Sequence, residues 1–443
     1  MTNSINVALI MLGRPQFDIE KANRFYQSVK DELTKEGVTV HAYDQPITMA
    51  DEAEEAVNAV AGNNLDAYIL VQGTFTDATL AMAVSRFIDR PLLIWATKEQ
   101  PALTDRLSLN SFCGLNLSAH ALYAAGKKYK GIYGEPACRK TMGEVMAFVK
   151  AAAAINWVKG KKIGLFGHRP KGYYPSNFPE IQILEKFGVT VEYFVLDTVF
   201  KAADALKIDE AEHLSGVKFK EELNQNAVSK SVRAYVALKK IIEEQSLDAV
   251  AIECWPDFMN IYGGAVCFAV GKLNDDGIVA ACEADICGAI SMLFAQYLSG
   301  QAVFLADLVA GYEDKDELVF WHCGAAPRCL AACKEECYAG IHPNRRLPLS
   351  LYFPLKDGLV TVSRLSPGRK ESLRLLIGKG EGEKAPMLFN GNSMPVKTER
   401  PVKAILDNLV EKGFEHHYVI SYGNITAELK EVARLLDLDE VEL

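Results

Sequence analysis

Residues 249–257 read Ala-Val-Ala-Ile-Glu-Cys-Trp-Pro-Asp, a short apolar run that ends in a tryptophan, a proline and an acid. A run of this length, bounded by a helical pattern and a Pro-containing turn, is typical of a buried strand in a parallel sheet. Residues 278–285, Ile-Val-Ala-Ala-Cys-Glu-Ala-Asp, repeat the arrangement. Because ligands of open α/β sheets bind beyond the carboxyl ends of the strands, Asp257, Glu283 and Asp285 are the first candidates for a functional site.

The rest of the chain extends this pattern in both directions. Short apolar strands alternate with helices through residues 1–150, and the alternation restarts at Lys162–Gly167 and continues to about residue 320. Farther on, segments such as Leu359–Leu365 alternate apolar and polar residues between Gly and Pro, which is typical of antiparallel strands. The pattern predicts an α/β protein with two doubly wound parallel-sheet domains, residues 1–150 and 151–320, followed by a smaller β-rich C-terminal domain, residues 321–443.

Composition argues against several classes of function. The chain has 443 residues, a net charge of −9 and 49% hydrophobic residues, which is typical of a globular protein with more than one domain. General nucleic-acid binding is not expected, because phosphate contacts need clustered Lys and Arg. Residues 1–6 lack a basic region followed by a long apolar run, and no stretch approaches the roughly 18 apolar residues of a membrane span. We therefore expect a cytoplasmic protein without nucleic-acid or membrane partners.

The ten cysteines are expected to be thiols in such a compartment. Four of them, Cys323, Cys329, Cys333 and Cys337, crowd together but lack the CxxC pairs of a zinc or iron–sulfur site. The last three recur at every fourth residue, which predicts one packed face of a helix rather than a metal centre.

The acids at the strand ends favour a bound cation. Carboxylates gathered at one edge of a sheet repel one another unless a cation or a proton intervenes, although a single carboxylate could instead cap the helix that follows. A hard divalent cation, Mn²⁺ or another such as Mg²⁺ or Co²⁺, prefers oxygen ligands with some imidazole. Candidate imidazoles are His322, which ends an apolar run, and the pair His416 and His417, which precedes another. Adjacent strand residues face opposite ways, so only one of the pair is expected to point into a site.

Three segments resemble the L-fucose/L-arabinose isomerase family. They are residues 253–257 (ECWPD), 281–289 (ACEADICGA) and 416–424 (HHYVISYGN), and two more, residues 13–18 (GRPQFD) and 167–173 (GHRPKGY), are similar to its fucose-isomerase-like branch. The similarity extends over essentially the whole chain. It implies two α/β domains and a β-rich third, a metal-dependent aldose–ketose isomerase activity, and a homo-oligomer, either a trimer or a hexamer.

The resemblance also implies roles for individual residues. Asp285 and His417 correspond to metal ligands, and Asp285 is a catalytic candidate as well. Asp257 corresponds to an acidic ligand that also transfers the proton. The family usually has Glu there, and Asp is one methylene shorter, so the base would sit differently. Glu283 would be an alternate ligand or contact the substrate. His322 would correspond to an extra histidine ligand of the arabinose-isomerase branch, and it is placed here among the substrate-binding residues with its role as a ligand left open.

Arg14 and Arg169 would orient distal groups of the sugar, and in the family such groups come in part from a neighbouring subunit. Fucose, arabinose and related pentoses or deoxyhexoses fit this reading. Five basic residues in loops are compatible with an anionic sugar, for example sulfonated sulfoquinovose, although an ordinary surface charge explains each of them as well: Arg139, Lys171, Arg328, Arg345 and Arg346. Two alternatives stay open: a non-catalytic sugar-binding or regulatory protein, and a metal-dependent epimerase or aldolase that shares the enediolate chemistry.

Overall fold

The computed structural model describes residues 4–62, 64–100, 106–370 and 372–443. The chain divides into two compact units, Met1–Asn156 and Trp157–Leu443. The three-domain division stays a prediction, as does the expectation for the first six residues, of which residues 1–3 lie outside the described part of the chain.

The first unit contains a parallel sheet. Its strands are β1 (Ile5–Leu12), β2 (Val38–Ala42), β3 (Ala67–Gln72), β4 (Leu92–Ala96) and β5 (Lys130–Tyr133). Its helices are α1 (Ile19–Lys35), α2 (Ala53–Ala61), α3 (Ala78–Val84), α4 (Ser111–Ala124) and α5 (Arg139–Val158), the last of which carries the chain into the second unit. The strand order is β2-β1-β3-β4-β5, with all pairs parallel. Every residue of β3 and β4 is buried, as expected for the centre of a parallel sheet.

The second unit begins with a smaller parallel sheet. Its strands are β6 (Lys162–Phe166), β7 (Thr190–Phe194), β9 (Ala249–Ile252) and β10 (Val279–Cys282). They lie in the order β10-β9-β6-β7 and all pair in parallel. The helices of the second unit are α6 (Glu180–Phe187), α7 (Leu196–Asp204), α8 (Glu210–His213), α9 (Gln225–Gln245), α10 (Cys267–Asp275), α11 (Ile286–Ser299), α12 (Val402–Lys412) and α13 (Thr426–Leu436).

A large mixed sheet completes the second unit. Its strands are β8 (Lys218–Phe219), β11 (Phe304–Tyr312), β12 (Glu317–His322), β13 (Tyr338–Ile341), β14 (Pro348–Pro354), β15 (Gly358–Pro367), β16 (Leu373–Gly382), β17 (Asn392–Thr398), β18 (His417–Tyr422) and β19 (Asp439–Glu442). Most neighbours are antiparallel, but β8, β14 and β19 each pair in parallel with one neighbour. The predicted α/β class and the β-rich C-terminal region are confirmed in this form.

Strands β11 and β18 lie at the centre of this sheet and position the site described below. They pair antiparallel, and the register places Asp307 directly opposite His417. The core of the second unit is continuous from the small sheet to the large one, since Ile252, Phe304 and Ile420 belong to one buried cluster. None of the helices in the described part of the chain combines the length and apolarity that crossing a membrane requires.

The carboxyl end of β6 is tied to β9 by a buried carboxylate. The backbone N–H of Glu253 donates to the carbonyl of Phe166 at 2.9 Å, and its Oε2 accepts from the N–H of His168 at 2.7 Å. Between them Gly167 adopts a positive φ of 81°, and a Cβ built there would lie 2.4 Å from Oε2 of Glu253. Only glycine therefore lets the loop after β6 approach this carboxylate.

The substitution Gly167→Ala tests this contact, with Gly172→Ala in the same loop as its matched control. Gly172 has a similar φ of 85°, but a Cβ there meets nothing within 4 Å. Both variants carry the left-handed backbone penalty of roughly 1–2 kcal/mol, and only Gly167→Ala adds the clash with Glu253. Urea unfolding should show a clearly larger loss for Gly167→Ala; equal losses would mean that Glu253 moves aside freely.

Candidate active site

The carboxyl ends of β9 and β10 meet as the sequence predicts. These strands are parallel neighbours, so the residues that follow Ile252 and Cys282 lie at one edge of the small sheet. Trp255 and Glu283 are in contact there, because the indole Nε1 donates to Glu283 Oε1 at 3.3 Å. The backbone of Glu283 has a φ of 58°, a conformation that a non-glycine residue seldom adopts and that is common at functional sites.

Glu283 faces two imidazoles as well as the indole. Its Oε2 lies 3.2 Å from Nε2 of His416 and 3.6 Å from Nε2 of His417. Burial by itself would raise the pKa of this carboxyl, but the hydrogen bond with His416 and the neighbouring imidazoles of His417 and His322 lower the pKa to about 2. Glu283 is therefore an ionised carboxylate at neutral pH.

The two adjacent histidines both reach this carboxylate. The expectation that only one of them points into the site is wrong, because β18 begins at His417 and His416 precedes the regular strand. Their ring centroids are 4.1 Å apart. His416 is partly exposed and packs edge-on against Tyr173 at 5.8 Å, whereas His417 is buried.

Asp285 contacts Nδ1 of His417, the ring nitrogen that does not face Glu283. Its Oδ2 is 2.9 Å from Nδ1 of His417 and also contacts Nη1 of Arg364. Its Oδ1 accepts from Nη2 of Arg364 at 3.1 Å and, as the N-cap of α11, from the N–H of Gly288 at 2.7 Å. Four donors thus engage its two oxygens, about as many as a carboxylate accepts. Burial would raise the pKa of Asp285, but the Arg364 charge and the His417 hydrogen bond hold it well below its usual range.

This contact fixes the tautomer of His417. Since Nδ1 donates its proton to the Asp285 carboxylate, Nε2 of the neutral ring carries a lone pair. That Nε2 lies 3.3 Å from Oδ1 of Asp307, the residue opposite it on β11. Both atoms are buried and have no hydrogen-bond partner in the described structure. A carboxylate that holds the far nitrogen of an imidazole is the usual support of a metal-ligating histidine.

The unpartnered atoms belong to two overlapping clusters. One consists of Glu283, His416 and His417 and the other of Asp307, His322 and His417, and in each the ligand atoms lie within 4.8 Å of one another. Two carboxylates and an imidazole lone pair suit a divalent cation such as Mn²⁺. The donor set therefore fits the predicted metal, and His417 is common to both clusters.

His322 differs from His417 in the proton it carries. Its Nδ1 accepts the backbone N–H of Cys323 at 2.9 Å, so in the neutral ring Nε2 bears the proton. Burial lowers the pKa of His322, which keeps the ring neutral. In this tautomer Nε2 is a hydrogen-bond donor, so it offers no lone pair to a metal, and the place of His322 among the substrate-binding residues stays a prediction.

The remaining predicted residues lie outside the clusters. Asp257 is exposed, two residues beyond Trp255. Arg169 is half-buried and occupied by its own loop, since Nε donates to Oδ1 of Asn177 at 2.5 Å. Arg14, in the first unit, pairs with Asp77 at 2.7 Å. The structure brings Glu283, Asp285, His322 and His417 together, whereas Asp257 is not a member of either cluster.

Sequence reasoning missed Asp307, His416 as a site residue, and Arg364. Asp307 carried a signal, because it is an acid inside the apolar strand Phe304–Tyr312. Arg364 likewise lies in an apolar strand and is completely buried. Charged residues in such positions are seldom buried without a partner.

The cysteine-rich segment was predicted wrongly in its local structure. Cys329 lies in a 3₁₀ turn, and Cys333 and Cys337 flank another with extended backbones, so the three do not share a helical face. Pro327 precedes the first turn, and proline favours such a break. All ten cysteines are free thiols.

A different sulfur pair lies near the site. Cys267 and Cys323 are buried with their Sγ atoms 3.4 Å apart, and His342 completes a group with the spacing of metal ligands. His342 Nδ1, however, accepts the N–H groups of Asn344 and Arg345, both at 3.3 Å. In the neutral ring its Nε2 therefore bears the proton and offers no lone pair to a metal, so this group is not assigned as a metal site.

Comparison with known proteins assigns the chain to a family. Residues 8–159 match the family described as fucose/sulfoquinovose isomerase, N-terminal domain, and residues 321–442 match L-fucose isomerase, C-terminal domain. The chain therefore belongs to the fucose/sulfoquinovose isomerase family. The predicted enzyme class, a sugar isomerase, is confirmed.

Individual relatives cover nearly the whole chain. The sulfoquinovose isomerase of Priestia aryabhattai is 32% identical over 98% of both chains, and that of Alkalicoccus urumqiensis is 32% identical over 99% of both. The L-arabinose isomerase of Oceanobacillus iheyensis is 24% identical over 94% of this chain and 93% of its own. A solved structure of a solute-binding protein of Actinobacillus succinogenes with bound D-allose aligns with 67% of this chain and 93% of its own at 13% identity. Its TM-score of 0.18 is too low to indicate a shared fold.

The Arg364–Asp285 pair should be critical for stability. Arg364→Met leaves the buried Asp285 carboxylate without its cation, and breaking such a pair costs about 3–5 kcal/mol. The double variant Arg364→Met/Asp285→Asn removes both charges and should recover part of that loss. Lys403→Met, which removes an exposed pair with Asp407, is the control and should hardly move the urea midpoint. A single Arg364→Met variant as stable as the double one would contradict the assigned role.

Proposed function

We propose that this protein is a divalent-metal-dependent aldose–ketose isomerase whose substrate is a sulfonated hexose of the sulfoquinovose type. The proposal rests on two buried atoms that have no hydrogen-bond partner among the described residues, Asp307 Oδ1 and His417 Nε2. They lie 3.3 Å apart beside the Glu283 carboxylate. The full-length similarity to sulfoquinovose isomerases supports the substrate class. An aldose and its ketose differ only in the position of two protons, so the site needs a base, a donor and a means of polarising two oxygens.

Glu283, Asp307 and His417 would hold the metal, Mn²⁺ or a similar divalent ion. When bound, such a cation acts as a Lewis acid on neighbouring substrate oxygens. Asp285, predicted as a ligand and as a catalytic group, is assigned here to positioning His417, because four donors already engage its oxygens. Asp257 is assigned to proton transfer and not to the metal, since it is exposed.

The chain's own residues would move the protons. Asp257, as general base, would take the proton from the carbon next to the carbonyl and return it to the former carbonyl carbon. Nε2–H of His322 would donate a hydrogen bond to the oxygen on which negative charge develops. Support for the place of Asp257 comes from Trp255, which lies two residues earlier and contacts Glu283 at 3.3 Å.

Finer points of the organisation belong to the same proposal. We assign doubly wound parallel sheets to residues 1–150 and 151–320 and a third domain to residues 321–443, which the family match over residues 321–442 supports. A trimeric or hexameric assembly and a cytoplasmic location are proposed from the family. Arg14 and Arg169 stay predicted contacts of the distal part of the sugar.

Metal dependence is tested on the two unpartnered atoms. Chelation should abolish ketose formation from a sulfonated aldose, and added Mn²⁺ should restore it. Asp307→Asn and His417→Ala should lose tightly bound Mn²⁺ in elemental analysis, and Asp285→Asn should weaken Mn²⁺ roughly 10–100-fold, as expected for a residue that supports a ligand. Asp314→Asn, an exposed acid after the same strand, is the control and should bind Mn²⁺ normally. Wild-type protein that turns over no sugar when supplied with metal would contradict the proposal.

The base is tested by Asp257→Asn, which keeps the size of the side chain but cannot accept the proton. We expect kcat to fall about 10²–10⁴-fold with little change in KM or in Mn²⁺ content, as for the loss of a general base. Solvent-deuterium incorporation at the carbon next to the carbonyl reports the proton transfer directly. If Asp257→Asn exchanges this proton at the wild-type rate, another group is the base.

A further inference from the structure

Arg345 packs over the indole ring of Trp255. The guanidinium carbon of Arg345 lies over the indole ring at 3.9 Å from its centroid, close enough for a cation–π contact. The same indole donates its Nε1–H to Glu283, so one side chain touches both the candidate metal site and the arginine. Tyr173 packs edge-on against this indole at 5.2 Å. Arg345 is therefore held one indole ring away from Glu283.

Arg345 lies on a turn fixed by a buried histidine. His342 accepts the Arg345 N–H at its Nδ1, 3.3 Å away, and its carbonyl accepts the N–H of Arg346 at 2.9 Å. The His342 N–H closes the turn on the carbonyl of Leu347 at 2.7 Å. Since both the backbone and the guanidinium of Arg345 are restrained, less conformational entropy is lost when a ligand binds it.

The guanidinium of Arg345 has no anionic partner in the chain. In the described residues no carboxylate lies within 4.0 Å of it, in contrast to Arg14 and Arg364, which pair with acids. Arg169 is not equivalent, because Asn177 and the Pro170 carbonyl occupy its nitrogens. Arginine is suited to bidentate hydrogen bonds with the oxygens of a sulfonate, and its rigid, stacked plane favours that geometry.

We propose that Arg345 is a specificity-determining residue that binds the anionic group of the substrate, the sulfonate of a sulfonated hexose. This inference rests on the proposed function and names the residue that selects the substrate. The carbons that exchange protons lie beside Glu283 and Asp307, and the sulfonate lies at the far end of the sugar chain, over Trp255. Like charges on the sulfonate and the two carboxylates are thereby kept apart.

The test compares two substrates and two arginines. Kinetics are measured on a sulfonated hexose and on its 6-deoxy counterpart, which lacks the sulfonate. Arg345→Met should lower kcat/KM for the sulfonated sugar roughly 10–100-fold, mostly through KM, as expected for lost hydrogen bonds to a charged group. The 6-deoxy sugar should react at the wild-type rate. Arg345→Lys keeps the charge without the planar fork and should fall between wild type and Arg345→Met.

Arg346→Met is the matched control, since it removes the neighbouring cation of the same turn and should leave both substrates unchanged. Methanesulfonate is the binding probe: it should inhibit wild type and Arg346→Met competitively, and Arg345→Met much less. Equal losses on both sugars, or no loss in Arg345→Met, would overturn the role of Arg345 while leaving the isomerase intact. Failure of the wild type with every sugar would instead overturn the proposed function.

Discussion

The site depends on one buried interaction, the contact of Asp285 with Arg364 on one side and His417 on the other. Arg364 is completely buried and donates to both oxygens of Asp285. A charge so far from water is tolerated only when it is paired. With Arg364 balancing the carboxylate, Asp285 can stay ionised and hold Nδ1 of His417. The lone pair on the other nitrogen follows from this contact, and that nitrogen belongs to both candidate metal-binding groups.

The same contact joins distant parts of the chain. Asp285 begins α11 after the small parallel sheet, whereas Arg364 and His417 lie on β15 and β18 of the large mixed sheet. A local change in any of the three therefore alters both the packing of the second unit and the tautomer at the site. Asp307 depends on the mixed sheet alone, because its position opposite His417 is set by the pairing of β11 with β18.

The parts of the site that sequence could predict are those governed by local rules. The ends of β9 and β10 converge because neighbouring parallel strands end at one edge, so Glu283 and Asp285 could be located. Asp307 could not, since its contact with His417 arises from an antiparallel pairing across 110 positions. The role of Asp285 in positioning His417 could not be predicted either. It depends on the contact with Arg364, and the burial of Arg364 is set by the folded sheet. At Cys329 the four-residue spacing predicted a helix, but the chain takes short turns there instead.

Trp255 lies between two parts of the proposed site, the residues around Glu283 and the guanidinium of Arg345. Interconversion of an aldose and a ketose requires polarisation of two neighbouring substrate oxygens, and the residues around Glu283 are those we propose for that chemistry. An anionic group at the far end of the sugar would be repelled by these carboxylates unless a cation stood near it. The indole of Trp255 contacts Glu283 at Nε1 and Arg345 on its face, which puts the cation close to the site without letting it neutralise the carboxylates. In the proposed function, substrate selection and metal binding therefore belong to different side chains, Arg345 for the first and Glu283, Asp307 and His417 for the second.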